Sequence, residues 1–177
     1  DPAVKAMIVP DERIESMAAT GAGDLLVMTA QGIYQGKPDG LARVTGLPKA
    51  ETGAVWLAQD GSEAMVALGG KLYRRRGNGA WEARELPAAY KNELIHAILK
   101  DTKGRIWIRG RRVLLRLASF GGEGDDLSGK LPGASVQRGQ LLADPAGRVW
   151  TPTNLGLVRF DDDGVWTLSE KEGLPSQ

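Results

Sequence analysis

Apolar residues fall in runs of about four to six along this chain, and polar or glycine-rich turns separate the runs. RIWIR (Arg105–Arg109) and VLLRL (Val113–Leu117) are rich in branched and aromatic residues, the composition of half-buried strands. The segments DTKG (101–104) and DPAG (144–147) read as turns. Asp favours the start of such a turn, and Gly supplies a positive φ at its end. Apolar positions at helical spacing are scarce. The third stretch of the pattern predicts strands at Ile95–Leu99, Arg105–Arg109 and Val113–Leu117. A weaker outer strand of the kind seen at Val165–Leu168 should follow.

The runs recur at a fixed period. Counting from turn glycine Gly147, Trp150 stands three residues on and Val158 eleven residues on, with Leu174-Pro175 beyond. Gly104 has Trp107 and Leu115 at the same offsets, then Leu131-Pro132. Ser62 has Met65 and Tyr73, then Leu86-Pro87; Gly23 has Leu26 and Tyr34, then Leu47-Pro48. The turn positions 23, 62, 104 and 147 are 39, 42 and 43 residues apart. Gly79-Ala80-Trp81 and Gly164-Val165-Trp166 repeat the match further along the unit.

A period of about 42 residues suits either helical solenoid units or four-stranded blades, and the strand-like pattern selects blades. The expected fold is all-β: four four-stranded β-propeller repeats forming one segment of a larger propeller. Residues 1–10 read as the outer strand of a preceding blade. Blades are expected at 11–48, 49–87, 88–132 and 133–175. Pro48, Pro87, Pro132 and Pro175 close them. The second blade is the most degraded, with its tryptophan displaced to Trp56 on the first strand. The third carries a glycine-acid insert, Gly121–Asp126, between its third and fourth strands. The chain opens mid-pattern, as a piece of a longer protein would. An open slice of blades leaves sheet faces for self-association or for further blades.

The bulk numbers narrow the function classes. The 24 glycines in 177 residues are about twice average usage, as a turn-rich β protein requires. A net charge of +1 gives no field pointing to nucleic acid. The absence of cysteine excludes a disulfide framework and a cysteine-rich zinc site. No apolar run reaches 18 residues, so membrane attachment would come through segments outside this chain.

Asp101-Thr-Lys-Gly104-Arg-Ile-Trp107-Ile, and Asp144-Pro-Ala-Gly147-Arg-Val-Trp150 with Thr153-Asn154-Leu155-Gly156-Leu157-Val158-Arg159-Phe160 and Gly173-Leu174-Pro175, resemble the two-component regulator propeller repeat. The likeness is strong in the last two units and loose in the first two. Two departures stand out. Arg109-Gly110 and Pro152-Thr153 replace the Gly-Thr after each tryptophan, and Ser62 replaces a turn glycine. The resemblance implies a periplasmic sensor region. Such regions sit ahead of a membrane helix and a histidine kinase, hybrid kinase or diguanylate cyclase (GGDEF) output. It implies blade-building roles for Gly23, Asp101, Gly104, Trp107, Asp144, Gly147 and Trp150, and no ligand contact.

The chemistry-bearing residues are few. In the D-x-x-G turns, Asp101 and Asp144 should bond following backbone N–H groups rather than a metal. Asp161-Asp162-Asp163-Gly164 lacks the alternating ligands and distal glutamate of a calcium loop and reads as a solvated turn. Trp107 and Trp150 are expected between adjacent sheets. His96 is the single histidine, so no multi-histidine metal site or His-based triad can be assembled from this chain alone. Neither a metal nor a cofactor is expected.

Arg109, Arg111 and Arg112 are placed between the second and third strands, where a guanidinium cluster can take an acidic group bidentately. Thr153 and Asn154, with Lys91, Asn92, Thr29 and Gln31, are expected on the same loop face, and His96 on a first strand. These residues mark where a small-molecule or saccharide ligand would bind. The reading is a non-catalytic sensor segment. The alternatives are a propeller enzyme of the streptogramin-lyase type and a protein-binding scaffold.

Overall fold

The computed structural model describes residues 13–49, 52–134 and 140–174. The expected strand over 1–10 and the closing Pro175 lie outside the described residues.

Among the described residues, every strand belongs to one of four antiparallel four-stranded sheets. Sheet 1 holds β1 (Ile14–Ala19), β2 (Leu25–Thr29), β3 (Gly32–Lys37) and β4 (Gly40–Arg43). Sheet 2 holds β5 (Ala54–Leu57), β6 (Glu63–Leu68), β7 (Lys71–Arg76) and β8 (Glu82–Glu85). Sheet 3 holds β9 (Ile95–Lys100), β10 (Ile106–Gly110), β11 (Leu114–Leu117) and β12 (Gly124–Asp126). Sheet 4 holds β13 (Leu142–Ala143), β14 (Val149–Thr153), β15 (Gly156–Phe160) and β16 (Val165–Leu168). In each sheet the strands lie side by side in chain order, as tight turns dictate. The described helical turns are single 3₁₀ turns, such as Ala88–Tyr90. These are propeller blades, as the repeat period predicts.

One expectation needs correcting. Gly121–Asp126 is not an insert ahead of a fourth strand, because Gly124–Asp126 is that strand, paired to β11. Three of these six residues are glycine, which hid the strand from a reading based on β-propensity.

The chain divides into two compact units, 1–85 and 86–177. In the first, Leu26, Met28 and Ile33 of sheet 1 pack on Val55, Leu57, Ala64, Val66 and Leu68 of sheet 2. The Ser16 hydroxyl accepts from Val55 N at 3.1 Å, and Gly21 N donates to Gln59 O at 3.2 Å. The displaced Trp56 lies on β5, opposite Met65. In the second unit, Trp107 and Leu114 of sheet 3 pack on Val149, Val158 and Phe160 of sheet 4. The Trp107 and Phe160 rings are 5.7 Å apart and tilted. Alternation of side chains along a strand explains the packing: Val149, Thr151 and Thr153 are buried, while Trp150 and Pro152 between them face the other way.

Candidate functional site

The D-x-x-G-R-x-W segments fold into the same clasp twice. At the first, Asp101 Oδ1 accepts from Lys103 N at 3.0 Å and Arg105 N at 2.9 Å. Its Oδ2 accepts from Arg105 Nε at 2.6 Å and from the Trp107 indole Nε1 at 2.8 Å. At the second, Asp144 accepts from Ala146 N and Arg148 N, both at 3.0 Å. It also accepts from Arg148 Nε at 2.6 Å and Trp150 Nε1 at 3.0 Å. The turn bonds to backbone N–H groups are as expected. The indole and guanidinium bonds are additional, and they explain why Asp, Arg and Trp travel together. In the first repeat, Thr20 stands where Asp101 does, and its hydroxyl accepts from Asp24 N at 3.0 Å.

The electrostatics follow from these bonds. Burial alone would raise the Asp101 carboxyl, but the Trp107 and Arg105 donors outweigh it and hold it below the ordinary value. At Asp144 the Trp150 indole, with Arg148, holds the carboxyl down to about 2. Each indole also lies between two guanidinium groups. Arg105 and Arg116 are 5.6 and 5.7 Å from the Trp107 ring, and Arg148 and Arg159 are 5.9 and 5.8 Å from that of Trp150.

The clasp of sheet 3 is tied to sheet 4. Asp162, on the β15–β16 turn, accepts from Arg105 Nη1 at 3.0 Å and from the Lys103 ammonium. Asp161 caps the same turn, accepting from Asp163 N and Gly164 N. This is the solvated turn that the sequence predicts. Beside it, Arg105, Arg116, Ala118, Asp125 and Asp162 line an open cleft of about 360 Å3. Arg116 Nη2 donates to Asp125 at 2.8 Å, so the wall of the cleft carries paired charges of both signs. Such a wall offers donors and acceptors to a neutral polar ligand, with little net field for a charged one.

The residues expected to form a loop-face site are placed differently from one another. Arg109 is not in the β10–β11 loop. It lies within β10 and is fully buried. Its Nη1 donates to the carbonyls of Gly110 at 2.7 Å and Val113 at 3.1 Å, and its Nε to Thr151 Oγ1 at 3.4 Å. Burial lowers its pKa, with Glu93 opposing. At the same place the other repeats carry Met28, Ala67 and Pro152. The guanidinium therefore ties off the turn carbonyls from inside and is not displayed for a ligand.

Arg111 and Arg112 are exposed on the turn, and Arg112 N donates to Glu93 Oε1 at 3.2 Å. Thr153 is buried and closes its own turn: its hydroxyl donates to Gly156 O at 2.9 Å and accepts from Leu155 N. Thr29 does the same for β2–β3, accepting from Gln31 N. Asn154 is exposed, and its N–H donates to Ala134 O. His96 is half-buried on β9 and has a partner. Among the described residues, no group of three or more His, Asp or Glu side chains is gathered to hold a metal ion. Also among them, no helix is long and apolar enough to cross a membrane.

The residues that the sequence reading missed are Arg105, Arg116, Arg148 and Arg159. Their signal was present, since an arginine follows the turn glycines Gly104 and Gly147 and the central apolar pairs of β11 and β15.

The fold defines a class of protein, the β-propellers. Solved structures similar to this chain include a streptogramin B lyase, with 14% identity and a TM-score of 0.72 over 94% of this chain and 58% of that one. A catalytically inactive variant of virginiamycin B lyase from Staphylococcus aureus, solved with quinupristin, has 15% identity and a TM-score of 0.71. It matches 93% of this chain and 58% of its own. The extracellular domain of a protein named as a hybrid two-component system of B. thetaiotaomicron has 20% identity and a TM-score of 0.64 over 88% of this chain and 22% of that one. The chain thus spans a little over half of each lyase and about a fifth of the extracellular domain. No protein-family model and no curated protein matches the sequence.

Proposed function

We propose that this chain is a non-catalytic sensor segment of a bacterial signal-transduction protein, of the two-component regulator propeller type. It would lie in the periplasm and pass its signal to a membrane-linked histidine kinase or diguanylate cyclase. The observation that carries this reading is the pair of Asp–Arg–Trp clasps. The residues that resemble the repeat signature, Asp101, Gly104, Trp107, Asp144, Gly147 and Trp150, are spent on building blades. The similarity in fold to an extracellular domain of a two-component system supports the same reading.

A polar small molecule or saccharide is the ligand class that suits the charge-paired cleft beside Asp162. Fractionation of cells carrying the native protein tests the compartment: recovery in the periplasmic or membrane fraction is expected, and recovery in the cytosol would overturn the reading. Deleting residues 13–174 from the native protein should abolish its response to stimulus.

The lyase-like enzyme is the second reading, favoured by the extent of structural overlap with the lyases. His96 is the one histidine available to it here. The sensor reading predicts no turnover of streptogramin B by the intact protein. Turnover that disappears in His96→Ala would replace that reading with the enzymatic one.

A further inference from the structure

Both walls of the cleft beside Asp162 lie in one compact unit. Arg105, Arg116, Ala118 and Asp125 come from sheet 3 and the residues flanking its strands, and Asp162 comes from the β15–β16 turn of sheet 4. The opening is therefore complete whatever blades stand on either side of these two. Strand register sets the sheet 3 wall. Arg116 is opposite Trp107 and Asp125 is opposite Arg116, so all three share the face turned toward sheet 4.

The charges on this wall are held in place, and each keeps part of its bonding capacity. Arg105 binds Asp101 through Nε and Asp162 through Nη1. Arg116 donates through Nε and Nη2, both to Asp125 Oδ2. Among the described residues, Arg105 Nη2, Arg116 Nη1 and Asp125 Oδ1 are left to meet a ligand. The cleft thus presents two guanidinium donors and one carboxylate acceptor, with two arginines balanced by two aspartates in its lining. A ligand with net charge of either sign meets as much repulsion as attraction there. A ligand that carries one charge of each sign meets a partner for both.

We infer that this cleft binds a small zwitterion of the α-amino-acid class. Its carboxylate takes the Arg105 and Arg116 donors, and its ammonium takes Asp125 Oδ1. The site is largely preorganised. The Asp101 side chain that fixes Arg105 is fully buried, so folding has already ordered that guanidinium before a ligand arrives. About 360 Å3 is at the small end of ligand clefts and suits a molecule of this size. A saccharide is less well served. The Trp107 ring, against which both guanidinium groups lie, is 1% exposed and offers no platform to a sugar. The Asp125 and Asp162 side chains are 63% and 59% exposed, so water screens the contacts and binding is weak, with a Kd on the order of 1 mM. The inference deepens the ligand class proposed above and rests on this cleft being the sensor's ligand site.

Ligand-observed NMR titration of L-alanine into the native protein tests it. Saturable binding is expected. N-acetyl-L-alanine, which lacks the ammonium, and L-alaninamide, which lacks the carboxylate, should each bind about fivefold or more weakly, and methyl glucoside likewise. Asp125→Asn, at an exposed side chain where folding is not at risk, should weaken L-alanine binding by about fivefold or more, and Arg116→Gln by a similar factor. Glu85→Gln, which removes the exposed partner of Lys71 in sheet 2, should leave it unchanged. No binding up to about 20 mM, equal binding of the two blocked analogues, or binding that survives both Asp125→Asn and Arg116→Gln would overturn the inference. So would methyl glucoside that binds more tightly than L-alanine and is weakened by Asp125→Asn. That last result would leave the sensor reading standing with a saccharide as its ligand, whereas recovery of the protein in the cytosol would remove the sensor reading and leave the binding result intact.

Discussion

Asp101 gathers four donors into one buried carboxylate, so its replacement strands an indole N–H, a guanidinium and two backbone amides. Asp101→Ala should destabilise the protein by about 2–4 kcal/mol in denaturant unfolding. Asp144→Ala should cost less, because its clasp is more open to water. Acid acts through the same groups. The Asp144 carboxyl is held at about 2 in the fold against an ordinary 3.8, so its contribution is complete above about pH 4. That contribution is lost as pH falls toward 2. Asp144→Asn should flatten the fall in melting temperature across that window. Arg109 makes a different prediction. Its charge is buried where Met28 stands in the first repeat. Arg109→Met should be neutral or mildly stabilising, whereas Arg109→Ala, which leaves a cavity, should cost about 2–4 kcal/mol.

At the scale of the element, turn chemistry decides which repeats are strict. Gly156 has φ +136°, and a Cβ there would sit 2.2 Å from Leu168 O. Gly23 has φ +81° with open space around it. Gly156→Ala should therefore destabilise strongly, by about 3 kcal/mol or more, through a clash with backbone that cannot move aside. Gly23→Ala should cost only the backbone term of about 1 kcal/mol. Comparing the two unfolding midpoints checks this. The strands themselves were legible: Val165–Leu168 falls where the pattern puts it, and the expected Ile95–Leu99, Arg105–Arg109 and Val113–Leu117 are each within a residue at either end. β12 was not legible, because a strand of Gly-Asp-Asp is held by its pairing to β11 and by no preference of its own.

Across each unit, stability comes from sheet faces that no blade can bury alone. Trp107 is worth about 2–3 kcal/mol of burial because sheet 4 supplies Val149, Val158 and Phe160 to cover it. Trp107→Ala should accordingly lower stability more than Trp150→Ala, whose ring is half-exposed, and the two melting curves measure the difference.

The amino-acid pattern alone determined the repeat, its period, the strand-and-turn grammar and the blades. Each of these is set by local φ/ψ preference and by the alternation of apolar residues, which neighbours in sequence carry. It also located the Asp and Trp of each clasp, though not the bond between them. Packing decided the rest. Arg109 left the loop for the interior because β10 continues past Trp107, and the guanidinium could then satisfy the carbonyls of its own turn. Asp162 became the partner of Lys103 and Arg105, about 60 residues away, because two sheets stack. The spacing of residues in one dimension carries no record of which faces meet in three.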